Sequence, residues 1–154
     1  RKLGKLLHSD DRTVQLEIST ALHEGTSFNE DFFSVGAEIA EVFDGNVSFL
    51  GFLADDEVSR RMTNADALVA FFPSGVRENN TTVLSAMAHG CAVITNLDEY
   101  SPPWMKHGES VFDVNQLAIF PSNEEFLVVR TGAKNAVSPY TFEQLSKLLM
   151  DREK

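Results

Sequence analysis

Ala67-Leu-Val-Ala-Phe-Phe-Pro-Ser-Gly-Val-Arg-Glu-Asn-Asn-Thr-Thr-Val-Leu-Ser-Ala-Met-Ala-His-Gly-Cys-Ala-Val-Ile-Thr-Asn96 reads as strand, loop, helix, strand. The apolar run Ala67 to Phe72, closed by Pro73, has the form of a strand buried on both faces. Val83, Leu84, Met87 and Ala88 then recur at helical spacing, Gly90 is placed to stop the helix, and Cys91 to Thr95 opens a second apolar run. The expected unit is two parallel strands joined by a helix.

Open α/β sheets bind ligands outside the carboxyl ends of their strands, which singles out the loop Pro73 to Thr82. Asn79, Asn80, Thr81 and Thr82 are residue types that cap helices. Free N–H groups in the first turn, at the positive end of the helix dipole, suit a phosphate. The same four residues serve equally well as a plain cap, and residue type alone leaves both readings open.

Working outward, the pattern repeats. Leu3, Leu6 and Leu7 share one helical face, Asp10-Asp11 is a polar turn, and Val14, Leu16 and Ile18 alternate with polar residues as a half-exposed strand. His23 to Asn29 is a loop. Phe32, Val35, Ile39, Val42 and Phe43 predict a helix ended by Gly45-Asn46, before a strand at Val47 to Leu50. Asp55, Asp56 and Glu57 complement the dipole at the next helix start, Val58 and Met62 form its inner face, and Asn64-Ala65-Asp66 ends it. Beyond Thr95, the segment Asn96 to Gly108 is rich in turn residues, and Trp104 beside two prolines reads as a packing plug. Val111 to Val114 predicts a short strand. Helices follow at 122–130, capped by Ser122 or Asn123, and at 141–150, capped by Thr141, with Leu145, Leu148 and Leu149 facing the sheet.

Strands alternating with helices imply a Rossmann-like, doubly wound, mostly parallel sheet with helices on both faces. Length and composition accord with one domain over residues 1–154: 154 residues, 43% of them hydrophobic, can bury roughly two thirds of the unfolded surface. The net charge of −10, with no basic run against it, disfavours nucleic acid and anionic membrane surfaces as partners. The single cysteine, Cys91, allows no disulfide within the chain and no metal framework, and points to a reducing compartment. No apolar run approaches the roughly 18 residues of a membrane span. The chain has no initiator Met and no signal peptide at Arg1 to Leu7, so the expectation is a cytoplasmic piece of a longer protein. The Gly-x-Gly-x-x-Gly dinucleotide fingerprint is absent, and no phosphoacceptor constellation marks a regulator.

Pro73-Ser74, then Ser85-Ala-Met-Ala-His-Gly90 and Cys-Ala-Val-Ile94, resembles the signature of the nucleotide-binding C-terminal domain of GT-B retaining glycosyltransferases, the glycosyltransferase group 1 family. Upstream, Gly45-Asn-Val-Ser-Phe-Leu-Gly51, Asp55-Asp-Glu-Val58 and Asn64-Ala-Asp66 are similar to the family's blocks in the same order. The resemblance covers roughly Val14 to Val114. It implies the C-terminal half of a GT-B fold, with a nucleotide-diphosphate sugar as substrate and no further cofactor. An N-terminal acceptor-binding domain, absent from this chain, would be its partner. The implied activity of the full protein is hexosyl transfer to a glycan or glycoconjugate, as in polysaccharide biosynthesis.

By position, the resemblance assigns the nucleoside to Gly51, Phe52, Leu53 and Ser85. It assigns the diphosphate and donor sugar to Arg77, Glu78, Asn79, Asn80, Thr81 and Thr82. Ser85 stands where the family has its ribose-binding glutamate, and Arg77 where it has the first glutamate. Glu78 takes that first place only if the loop shifts by one residue. A serine hydroxyl is shorter than a carboxylate and uncharged, so the ribose would be held differently. Arg77 either grips phosphate with its planar fork or is an exposed loop arginine paired with Glu78. No catalytic residue is assigned: His8, His23, His89 and His107 are scattered, and His89 suits the negative pole of its helix. The basic residues with which the family neutralises the leaving diphosphate come from a loop after the domain's first strand, expected to lie before Arg1. Without that loop and an acceptor domain, this piece alone should be inactive. Two functions stay open: the donor-binding domain of a glycosyltransferase, and a degenerate domain of the same fold kept for scaffolding or protein contacts.

Overall fold

Among the described residues helices and strands alternate from Lys2 to Thr95, as their apolar periods require. The computed structural model describes residues 2–10, 12–19 and 30–140, with the side chains of residues 8 and 30–35 excepted. The elements are α1 (Lys2–His8), β1 (Leu16–Ser19), α2 (Glu30–Val42), β2 (Val47–Gly51), α3 (Asp55–Asn64), β3 (Ala67–Val69), α4 (Thr81–Ala88), β4 (Ala92–Thr95), β5 (Phe112–Asp113) and α5 (Asn123–Val137), with a 3-10 turn at Ser138–Tyr140. Every strand pairing among the described residues is parallel, and the fold is Rossmann-like α/β. The expected loop at 23–29 and helix at 141–150, with its cap Thr141 and its Leu145, Leu148 and Leu149, lie outside the described residues, as do the side chains of Phe32 and Val35. No helix among the described residues is long and apolar enough to cross a membrane.

The chain forms two compact units, Arg1–Val58 with Ala118–Phe120, and Ser59–Leu117 with Pro121–Lys154. In the first, β1 and β2 pair in parallel with Leu16 opposite Val47, and β1 alternates half-buried and exposed residues as its sequence does. Leu3 and Leu6 are buried on α1. In the second, β4 lies between β3 and β5, and all four of its residues are buried.

β4, not β3, is therefore the strand buried on both faces. β3 is half-buried and ends at Val69, short of the expected Phe72. The cause is a side chain. Backbone pairing continues to the Ala70 N–H on the Ile94 carbonyl, and beyond it the amide of Asn96 takes over. Asn96 Nδ2 donates to the Phe72 carbonyl at 2.7 Å, while its Oδ1 accepts from the Phe72 N–H at 2.9 Å. An asparagine amide has the donor and acceptor of a peptide group, so it closes the ladder without extending the strand.

α4 turns Val83, Ala86 and Met87 inward. Leu84 is half-buried and Ala88 is exposed, a correction to the expected face. Ala88 lies one residue, about 100°, past Met87 and so rotates out of the stripe. The helix ends as Gly90 predicts: with φ +73°, Gly90 donates to Met87 and Cys91 to Ala86, the paired bonds of a Schellman stop. Cys91 precedes β4, and burial pushes its thiol up to about 11.

α5 starts in a capping box, with Ser122 Oγ accepting from the Glu125 N–H and Glu125 Oε2 accepting from the Ser122 N–H. It runs to Val137, seven residues past its expected end, burying Val129, Ala133 and Val137 at i, i+4 and i+8. Gly132 lets it continue while passing close to the chain: a Cβ there would overlap the carbonyl oxygen of Glu109. Alanine is the better helix former by about 1 kcal/mol, but the obstacle is backbone, which cannot rotate away. Gly132→Ala is therefore expected to lower stability by roughly 1–3 kcal/mol, read as a shift in the urea midpoint with unchanged slope.

Candidate functional site

The loop from β3 to α4 is held at four points. Gly75 takes φ +76° and donates to the Phe72 carbonyl, and the Val76 N–H donates to the Asn96 carbonyl. The Arg77 N–H donates to Asn80 Oδ1 at 2.6 Å, and the Asn80 N–H returns to the Arg77 carbonyl. Val76 is fully buried, so the loop is anchored from beneath. Asn80 stands at the N-cap position of α4 without capping it, because its side chain is spent on Arg77. This corrects the capping expectation: the first helical bond runs from Leu84 to the Asn80 carbonyl, and the N–H groups of Thr81, Thr82 and Val83 have no acceptor among the described residues. Three donors at the positive end of a helix are available to an anion.

Arg77 does not pair with Glu78. Its Nη1 and Nη2 donate to Asp98 Oδ1 and Oδ2 at 2.7 and 2.8 Å, a two-toothed pair across the ends of β3 and β4. Nη1 also donates to the Val76 carbonyl at 3.0 Å, and the guanidinium lies 5.7 Å from the Tyr100 ring. Glu78 instead accepts from the Tyr140 hydroxyl at 3.2 Å. Burial and then the Glu78 carboxylate push the Tyr140 phenol upward.

Asp98, whose place after a strand's end on the loop's edge of the sheet is visible in the sequence, is not among the expected site residues. Besides Arg77 it accepts from the Tyr100 N–H and from Ser101 Oγ. It also explains Gly75: a Cβ there would lie 2.6 Å from Asp98 Cγ. Its own loop is fixed by the Leu97 N–H donating to Asp113 Oδ1, a buried carboxylate that also accepts from the Asn115 N–H and Gln116 Nε2. The available signal was placement, since Asp98, Glu99 and Tyr100 follow the end of β4 on the same sheet edge. With Arg77 and Asp98 21 positions apart, no spacing rule links them.

Ser85 is half-buried on α4, and its carbonyl accepts from the His89 N–H and from His89 Nδ1 at 3.0 and 2.7 Å. His89 thus sits at the negative pole of α4, as expected. Arg77, Glu78, Asn79, Asn80, Thr81, Thr82 and Ser85 all belong to the second unit. Gly51, Phe52 and Leu53 belong to the first. There, Gly51 closes β2 with φ +67° and Phe52 is 55% exposed. Trp104 is half-buried against the core of the second unit, 5.6 Å from the Tyr140 ring. Among the described residues no group of three or more His, Cys, Asp or Glu could hold a metal.

No protein-family model and no curated protein matches this sequence. Among solved structures the chain is similar to that of AviGT4, a glycosyltransferase involved in avilamycin A biosynthesis, at 16% identity and a TM-score of 0.42. The match covers 97% of this chain and 47% of that one. A likeness of that depth carries no weight for activity.

The ion pair sets a pH dependence. Arg77, with help from Ser101 and the Tyr100 N–H, lowers Asp98 from 3.8 to about 2. A carboxylate with a depressed folded pKa contributes stability that is complete above its unfolded value and lost as pH falls through the folded one. Both side chains are about one-third exposed (32% and 31%), so the pair holds geometry more than it stabilises. Thermal midpoints of wild type and Asp98→Asn are expected to converge as pH falls from about 4 to about 2, with the wild type higher above that window.

Proposed function

We propose that residues 77–82 hold the diphosphate and sugar of a nucleotide-diphosphate sugar, with Ser85 at its ribose, in the donor-binding domain of a glycosyltransferase. The observation that carries this reading is the first turn of α4. Asn80, the residue placed to cap it, turns its amide to the Arg77 N–H, leaving three backbone donors and the helix dipole for an anion. The signature through Ser85 to Ile94 supplies the class of ligand. On this reading residues 1–154 form one donor domain, and the longer protein carries the acceptor domain and the transfer activity, acting in the cytoplasm on a glycan or glycoconjugate. On the same reading the acceptor is positioned by that other domain, so the piece alone is expected to be inactive.

A second reading is a degenerate domain of the same fold. Its support is specific: Ser85 replaces a ribose-binding carboxylate, and Arg77 is already paired with Asp98. Titration of the chain with UDP, GDP and ADP, followed by amide chemical shifts, decides between them. One of the three is expected to bind on the order of millimolar to tens of micromolar, moving the amides of Asn79 to Ser85. The same titration tests the nucleoside assignment of Gly51, Phe52 and Leu53 through their own amides. Silence toward all three at millimolar concentration selects the degenerate reading.

The ribose contact has its own test. Ser85→Glu restores a carboxylate that accepts from two ribose hydroxyls, and is expected to tighten the preferred nucleotide about tenfold. A matching gain for the 2′,3′-dideoxy analogue would show that the new carboxylate acts elsewhere.

A further inference from the structure

We infer that Asp98 is a positioning residue for anion binding: it grips one edge of the Arg77 guanidinium and thereby presents the other edge to the diphosphate. The inference rests on the donor-site reading above and adds to it a residue that the signature does not contain.

A guanidinium has five N–H donors in one plane. Asp98 takes one from each Nη end-on, and the Val76 carbonyl takes a second from Nη1. Two remain, the Nε–H and the outer Nη2–H, and neither has a partner among the described residues. These two lie side by side on one edge, a spacing that matches two oxygens of a phosphate. With three donors engaged, the plane of the group is fixed before any ligand arrives, so little rotamer freedom remains to be lost on binding.

The grip is itself fixed from several sides. Asp98 is held by Ser101 Oγ and the Tyr100 N–H, Tyr100 lies beside the guanidinium, and Gly75 leaves the space that Asp98 fills. The backbone of Arg77 is tied to Asn80, at the start of the helix with the free donors. The opposite role for Asp98, a carboxylate that competes with the ligand for Arg77, predicts the opposite sign on its removal.

The test compares affinity for the best-binding of UDP, GDP and ADP with affinity for its nucleoside, on the full chain. Positioning acts on the phosphates, so the diphosphate-to-nucleoside affinity ratio is expected to fall about tenfold in Asp98→Asn, Asp98→Ala and Arg77→Ala. Arg77→Ala/Asp98→Ala should lose no more than Arg77→Ala alone, because both act through one guanidinium. Arg77→Lys should lose as much, since an ammonium can pair with Asp98 but has no second planar edge. It also decides the matter should the Asp98 variants not fold. A ratio unchanged or raised in Asp98→Asn, independent losses that multiply in the double variant, or a full ratio in Arg77→Lys would each overturn the inference while leaving the donor site standing. A wild type that binds no nucleoside diphosphate overturns both.

Discussion

A central parallel strand buried on both faces leaves its carboxyl end with a problem of backbone satisfaction. β4 has no exposed residue, and where its pairing stops the peptide groups around it leave the ladder and are taken up by side chains. Asn96 answers for Phe72, Asp113 for Leu97 and Asn115, and Asp98 for Tyr100. Each is a short polar residue placed within a few positions of a strand end, where it can reach backbone without a long, disordered side chain. These side-chain bonds determine the loop geometry, and through it everything that faces the open edge.

The site follows from that solution. Because Asn96 closes the ladder at Phe72, β3 is short and the chain is released early into a loop long enough to fold back on itself. The loop folds back through Gly75, whose left-handed φ no side-chain-bearing residue adopts cheaply, and through Asn80, whose amide is drawn away from the helix it precedes. The uncapped first turn of α4 is thus a consequence of loop closure and not a defect of sequence. A helix end left bare of side-chain caps forgoes about 1 kcal/mol, and such a cost is sustained where the free donors have another use.

The order of elements was legible because it rests on apolar period, which tertiary context seldom overrides. The helix stop at Gly90, the cap at Ser122 (one of two candidates) and the alternation of β1 follow from local backbone chemistry, and the structure has each of them. The length of β3 and the need for a glycine at 132 within α5 were not legible, because both depend on what passes nearby: an amide 24 positions away in one case, the Glu109 carbonyl in the other. The partner of Arg77 escaped for the same reason. Glu78 is its neighbour in sequence, but adjacent residues on a turning loop point apart, while Asp98 is brought opposite by the parallel pairing of β3 and β4. Capping stayed open in the sequence because Asn80 has one side-chain oxygen and two claims on it, and in the structure the loop N–H of Arg77 prevails.

The charge balance of the loop separates local from global electrostatics. The chain carries a net charge of −10, which opposes any anion at long range. Fields from exposed charges fade over a Debye length of about 8 Å at physiological salt, whereas backbone donors and a guanidinium edge act at contact. Near α4 the acids are already committed, Asp98 to Arg77 and Glu78 to the Tyr140 hydroxyl. The Arg77–Asp98 pair is neutral as a unit yet still offers two directed N–H groups, so an anion would meet donors without having to displace a carboxylate. The carboxylate that faces this guanidinium comes from the loop after β4, so the open edge of the sheet carries an acid and a base that hold each other in place.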